Sequence, residues 1–253
     1  EKWQTVLDLG IIPYMEGLQK DGKIRYFGFS FHDDFETFKA IAEYRSWDFC
    51  QIQYNYVDTD IQAGDRGYEL TEELGIPLVI MEPIKGGSLA TLPEDVTLPF
   101  REFHPDASIS SWALRWVASK PNVKVVLNGM STQEQVEDNL KTFSNFQPLS
   151  LKEKEIVANV AAAIKARTKN GCTGCAYCMP CPCGVNIPQN FRIWNDLSMY
   201  RNIDRIKQMY FKELEEGARA NQCQECGQCE EVCPQSLSIR ENLKQVWQEM
   251  NAL

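Results

Sequence analysis

Residues 77–81 read PLVIM, and residues 82–87 continue EPIKGG. A short, wholly apolar run ended by a turn is what a strand buried on both faces of a parallel sheet looks like. The segments on either side repeat the theme. Towards the N-terminus, residues 2–20 read as a helix stopped by Asp21-Gly22, and 23–30 (KIRYFGFS) reads as a strand. Asp33 with Glu36 three residues on forms a capping box, opening a helix with Phe35, Phe38 and Ile41 on one face. Residues 48–54 (DFCQIQY) follow as a strand, then a helix that ends at Gly75. Towards the C-terminus, a long Pro-containing loop over 82–106 leads to a helix around 113–117. Residues 123–127 (VKVVL) make a fourth strand, and Ser131 with Glu134 opens a helix ending near Phe143.

Four consecutive strand–helix units imply an α/β fold with a parallel sheet and right-handed crossovers. Periodicity alone leaves open a doubly wound sheet or part of a (β/α)8 barrel. No G-x-G-x-x-G follows the first strand, so the dinucleotide fingerprint of the doubly wound fold is missing.

At 253 residues the chain is one large domain or two small ones, and 43% apolar with 24% charged residues suffices for a packed core. With 26 basic against 35 acidic side chains the net charge is −9, which repels a phosphate backbone and argues against nucleic acid as a partner. No run reaches the roughly 18–20 apolar residues of a membrane span. The chain opens at Glu1 without a secretory pattern, and the expected compartment is the cytoplasm.

Nine of the ten cysteines lie between Cys172 and Cys233; Cys50 stands alone in a strand, as a buried inert thiol would. Ser150 with Glu153 caps a helix over 151–167, after which the cysteine region begins, so the expected domains are 1–168 and 169–253. Cys223-x2-Cys226-x2-Cys229-x3-Cys233-Pro234 has the spacing of the bacterial ferredoxin run, whose fourth cysteine serves the other cluster in two-cluster proteins. Cys172-x2-Cys175-x2-Cys178-x2-Cys181-Pro182 is one residue shorter before its fourth cysteine, and Cys183 is extra. Two C-x2-C pairs could instead hold zinc, but two sets of four with terminal Cys-Pro point to two [4Fe–4S] clusters. The helical stretch between the motifs resembles the helical type of two-cluster ferredoxin. That resemblance implies one cluster on Cys172, Cys175, Cys178 and Cys233, and the other on Cys223, Cys226, Cys229 and Cys181, with Cys183 as the alternative to Cys181.

GKIRYFGFSFHD (22–33), FCQIQYNY (49–56), PLVIMEPIKGG (77–87) and VVLNGMSTQEQVEDNL (125–140) resemble the last four strands of aldo/keto reductases. With CTGCAYCMPCP following, the chain resembles the branch of that family that carries a C-terminal ferredoxin domain. The resemblance implies the C-terminal half of a (β/α)8 barrel before a mainly helical cluster domain, with NAD(P)H across the strand ends and a small carbonyl-type substrate. It implies Ser30 and Gln51 at the nicotinamide carboxamide, Met81 on the nicotinamide face, Gly86 and Gly87 in a pyrophosphate-side loop, and Gly129, Asp138 and Asn139 at the adenosine end. Ser30 could equally close a turn, and Gln51 satisfy buried backbone. Where NADPH-specific members place Lys and Arg, this chain has Gly129 and Gln135.

The family's catalytic Asp, Tyr, Lys and His belong to the first four strands, and this chain begins in the helix before the fifth. No catalytic residue is therefore assigned, and the chain reads as part of a longer protein. His32 and His104 do not occupy the catalytic histidine position. A half-barrel exposes a parallel edge and an apolar face, which self-association could cover. Clusters pass single electrons and nicotinamide passes hydride; coupling them takes a flavin or a radical, and no flavin motif is visible. Lys165, Arg167 and Lys169, with Glu225, Glu230 and Glu231, are candidate charges for docking a redox partner. The alternative function is an electron-transfer module with the barrel half as scaffold.

Overall fold

The structure, a computed structural model, describes residues 2–253. It forms two compact units: residues 2–90 with 100–159, and residues 91–99 with 160–253. No helix among the described residues is long and apolar enough to cross a membrane.

The first unit is built on β1 (Phe29–Phe31), β2 (Cys50–Gln53), β3 (Leu78–Met81) and β4 (Val123–Val126). All pairings are parallel and the spatial order is β1-β2-β3-β4. Each strand pairs with its predecessor, so every crossover advances in the same direction and right-handed connections put all the helices on one face. That is the winding of a barrel; a doubly wound sheet reverses at a switch point. Alternation along the strands does the rest. Phe31, Cys50, Ile52, Leu78 and Ile80 are buried in a core with Phe38, Ala42, Trp47, Tyr68 and Val117. Ser30, Gln51, Gln53, Val79 and Met81, on the opposite face, are half-buried or exposed.

The helices are α1 (Lys2–Asp8), α2 (Ile11–Lys20), α3 (Phe35–Ala42), α4 (Gly64–Glu73), the end of α5 (Glu94–Phe103), α6 (Ile109–Ala118) and α7 (Gln133–Ser144), with α8 (Leu151–Lys165) starting in this unit. Several differ from the sequence reading. The single helix over 2–20 breaks at Gly10, whose φ of 64° starts α2 afresh. The predicted strand over 23–30 pairs only at its end. Before it, the Phe27 N–H donates to the Asp48 carboxylate (2.7 Å) and the Gln19 side chain to the Arg25 carbonyl (3.3 Å), so side chains take over most of the ladder, beside one backbone bond from the Asp48 N–H to the Phe27 carbonyl (3.2 Å). Two caps sit one residue later than read: Asp34 is the N-cap of α3, accepting the Thr37 N–H, and Thr132 with Gln135 forms the capping box of α7. α5 lies inside the stretch read as loop, hidden by Pro93 and Pro99. The Ser150–Glu153 box is present: the Glu153 carboxylate accepts from the Ser150 N–H (2.8 Å) and hydroxyl (2.7 Å).

In the second unit, α9 (Ile187–Tyr200), α10 (Ile203–Gln208), α11 (Gln228–Glu231) and α12 (Ile239–Asn251) surround a core of Phe191, Ile193, Trp194, Tyr210, Leu243 and Val246. Within the stretch between the motifs, α10 ends at Gln208 and passes into a π turn at Met209–Glu213 before Leu214 extends. The cysteine segments are mostly irregular loops: Cys172, Cys178, Cys181, Cys183, Cys223, Cys229 and Cys233 are half-buried against this core, while Cys175 and Cys226 are exposed.

Candidate functional site

The loop that carries the first motif is anchored just upstream. Asn170 is buried; its side chain donates to Asn242 (2.6 Å) and accepts the Cys172 N–H (2.9 Å). Asn195 on α9 accepts the N–H groups of Lys169 and Asn170 (both 3.0 Å) and donates to the Asn170 carbonyl (2.8 Å). These amides hold the start of the loop between two helices. No spacing rule singles out Asn170 or Asn195, because their partners are remote in sequence. Gly174, Ala176, Glu225 and Gly227 then take left-handed φ values (74°, 61°, 58° and 84°), which turn each C-x2-C loop back on itself.

The nine clustered cysteines sort around two cavities. One, of about 190 Å³, is lined by Cys181, Cys183, Cys223, Cys226 and Cys229. A second, narrower one is lined by Cys172, Cys175 and Cys233, and Cys178 borders both. Cys233 has left the company of its own motif to join the first. The Glu225 N–H donates to the Cys223 sulfur (3.4 Å), the kind of bond that tunes cluster sulfur.

Burial pushes the Cys178 thiol up, and burial with Glu230 beside it pushes Cys229 up to about 11. Protein charges do not make these thiolates; a bound cationic centre would. No three His, Cys, Asp or Glu side chains among the described residues are grouped to hold a single metal ion. Four thiols spread around the wall of a cavity instead match a cubane, which offers each thiolate its own iron corner. The residues present fit [4Fe–4S] ligation.

The first unit brings three predicted residues together on the open sheet face. Gln51 Nε2 lies 3.5 Å from both Ser30 Oγ and Met81 Sδ, and Ser30 is the register partner of Gln51. Beside them is a network that sequence reading missed. The Asp58 carboxylate is 3% exposed and accepts from Gln53 (3.0 Å), Asn55 (3.0 Å) and Lys85 (2.6 Å). Asn55 also donates to the Glu82 carbonyl (3.3 Å). Buried charge with three donors is paired charge. It ties the loop after β2 to the loop after β3, where Lys85, Gly86 and Gly87 run in left-handed conformations.

The adenosine-end residues are dispersed. Gly129 sits in an exposed loop and Asn139 is half-buried on α7. Asp138 accepts from Ser108 (2.7 Å) and Ser110 (3.1 Å), and lines a cleft of about 650 Å³ that also includes Arg115, Lys141 and Glu153 but none of Ser30, Gln51 and Met81. Its carboxylate is engaged with the start of α6. His32 is exposed, and His104 Nε2 lies 3.1 Å from Glu153. Cys50 is fully buried, and burial pushes its thiol up to about 12, that of an inert core residue.

The charges named for partner docking are mostly engaged. Arg167 pairs with Asp95, Lys169 with Glu249 (2.5 Å), Glu225 with Lys244 (2.7 Å) and Glu230 with Arg240 (2.8 Å).

Residues 4–162, more than half of the chain, match the model of the aldo/keto reductase family. The chain belongs to the aldo/keto reductase family. Residues 171–238 of this aldo/keto reductase match the 4Fe-4S dicluster domain. Similar solved structures include an aldo-keto reductase from Bacillus halodurans in its holo form, 23% identical over 57% of this chain and 53% of that one, with a TM-score of 0.47. An aldo-keto reductase from Klebsiella pneumoniae in complex with NADPH is 19% identical over 59% of this chain and 52% of that one, with a TM-score of 0.47. The glycerol dehydrogenase of Gluconobacter oxydans is 20% identical over 59% and 52%, with a TM-score of 0.46. No curated protein matches the chain. The chain spans about half the length of the solved aldo-keto reductases it matches.

Proposed function

We propose that this chain is the cofactor-binding and electron-carrying part of an iron–sulfur oxidoreductase of the aldo/keto reductase family. The observation that carries the reading is the sorting of the clustered cysteines into two cavities, with Cys233 beside Cys172, Cys175 and Cys178. The clusters, when bound, supply single-electron transfer. Cys172, Cys175, Cys178 and Cys233 would hold one; Cys223, Cys226, Cys229 and Cys181 the other.

On the sheet face, the Ser30 hydroxyl and the Gln51 amide offer donors and acceptors to a carboxamide, while Met81 offers an apolar surface to a flat ring. These are the groups that would orient NAD(P)H. The Asp58–Lys85 pair would hold the Lys85–Gly87 loop against its phosphate side. The reading assigns no proton donor to this chain, and a small carbonyl compound is the substrate class it proposes. Thiols kept free for iron suit the reducing cytoplasm. A protein that accepts or supplies single electrons is the partner this chemistry requires.

Anaerobic iron and sulfide analysis, with equilibrium titration of NADH and NADPH followed by fluorescence, tests the proposal. About eight irons per chain with saturable dinucleotide binding supports it. Clusters with no dinucleotide binding would leave the electron-transfer module, and zinc in place of iron would end the cluster assignment.

A further inference from the structure

The larger cysteine cavity has one thiol more than a cluster needs. A cubane has four iron corners, each taking one thiolate. Cys172, Cys175, Cys178 and Cys233 account for the narrower cavity. Five thiols remain, and all five line the larger one: Cys181, Cys183, Cys223, Cys226 and Cys229. The fifth is not a stray surface cysteine. Cys181 and Cys183 are both half-buried against the same core, on either side of Pro182.

The turn that carries them is held closed. The Gly184 N–H donates to the Cys181 carbonyl (2.9 Å), and Gly184 has φ 79°. A Cβ at Gly184 would come within 3.3 Å of the Gly217 carbonyl, so the chain is pinned immediately after Cys183. Proline at 182 fixes its own φ and removes a donor, which stiffens the link between the two thiols.

We propose that Cys183 is a second, interchangeable ligand for the fourth iron corner of the cluster held by Cys223, Cys226 and Cys229. The inference rests on the two-cluster reading and adds to it a site with a ligand in reserve. In the exchange, the iron–sulfur bond to Cys181 breaks and one to Cys183 forms. The Cys183 proton goes to solvent and the released Cys181 thiolate takes one up. No electron moves, and the iron keeps its oxidation state. The site then keeps its cluster when either thiol is alkylated.

The test uses the whole chain reconstituted anaerobically, as the parent protein, Cys181→Ala, Cys183→Ala and the double variant. Iron and sulfide are counted, and the reduced proteins are examined by electron paramagnetic resonance. Each single variant should keep the parent's iron, with the two giving different spectra because the fourth ligand differs. The double variant should lose half of the iron and retain the signal of the Cys172 set. A Cys181→Ala variant that alone loses half the iron overturns the inference while leaving the two-cluster reading of the parent standing; so does a Cys183→Ala variant that does. Four irons or zinc in the parent protein overturns the two-cluster reading and this inference with it. Alkylation of the native parent by iodoacetamide gives a check that needs no variant. Label shared between Cys181 and Cys183 supports exchange, and label confined to one of them at full iron occupancy overturns it.

Discussion

Cys233 and Cys172 line the same cavity, although they belong to different motifs at opposite ends of the cysteine region. The arrangement makes each motif depend on the other. Cys233→Ala should therefore damage the cluster of the Cys172 set and spare the cluster of its own neighbours, whereas Cys226→Ala should do the reverse. Each variant should keep about half of roughly eight irons. Electron paramagnetic resonance of the reduced variants identifies which signal disappears; loss of the same signal in both would contradict the crossing.

Lys85 and Asp58 form the link between two loops on the open sheet face. Replacing Lys85 by Met leaves the buried Asp58 carboxylate with only the amides of Gln53 and Asn55. Removing one partner of a buried pair costs about 3 kcal/mol or more. We expect a lower urea midpoint for Lys85→Met and weaker NAD(P)H binding, with Asp58→Asn restoring part of the stability in the Lys85→Met background. Unchanged denaturation and unchanged dinucleotide affinity would remove the loop-holding role.

Glu153 offers a pH-dependent test. Burial raises its pKa, but this is outweighed by hydrogen bonds from Arg115 and Ser150, and the carboxyl is held at about 2. A folded pKa below the unfolded one means a contribution present above about 4.5 and lost as pH falls towards 2. Glu153→Gln should destabilise the chain by on the order of 3 kcal/mol at neutral pH. The gap from the parent protein should shrink steadily below about pH 5, as read from urea midpoints at successive pH values. A constant gap down to pH 3 would contradict the assignment.

Gly28 packs so closely on the next strand that a Cβ there would lie 2.3 Å from the Phe49 carbonyl oxygen and 2.8 Å from its ring. Gly28→Ala must push β1 away from β2, at a cost of about 1–3 kcal/mol for overpacking. The thermal midpoint should fall accordingly, and iron content should not, since the strain lies in the first unit. A midpoint equal to the parent's would show that the strands separate freely.

The alternation of strands and helices, the parallel sheet and the iron–sulfur character of the cysteine region were legible because they are written in local patterns. An apolar run such as PLVIM needs burial wherever it lies, and C-x2-C spacing reflects the pitch of a loop around a cluster. Element ends were less legible. Asp33 and Asp34 are equally good caps on paper, and the backbone chose Asp34, whose side chain reaches Thr37. Prolines concealed α5, and side-chain bonds at Phe27 and Arg25 shortened the first strand.

What no local pattern carries is the company a residue keeps. The chemistry of Asn55, Asp58 and Lys85 comes from one buried carboxylate collecting donors from two loops, and Asn170 matters because Asn195 and Asn242 reach it from separate helices. Asp138 is engaged by two serines at the start of another helix, a contact that its own position in the sequence does not announce. Hydrogen bonds and desolvation act over a few ångströms in space, whatever the distance along the chain. Residue types and spacing were therefore enough to name the chemistry of the cysteines, and folding alone determined which thiols, amides and carboxylates meet.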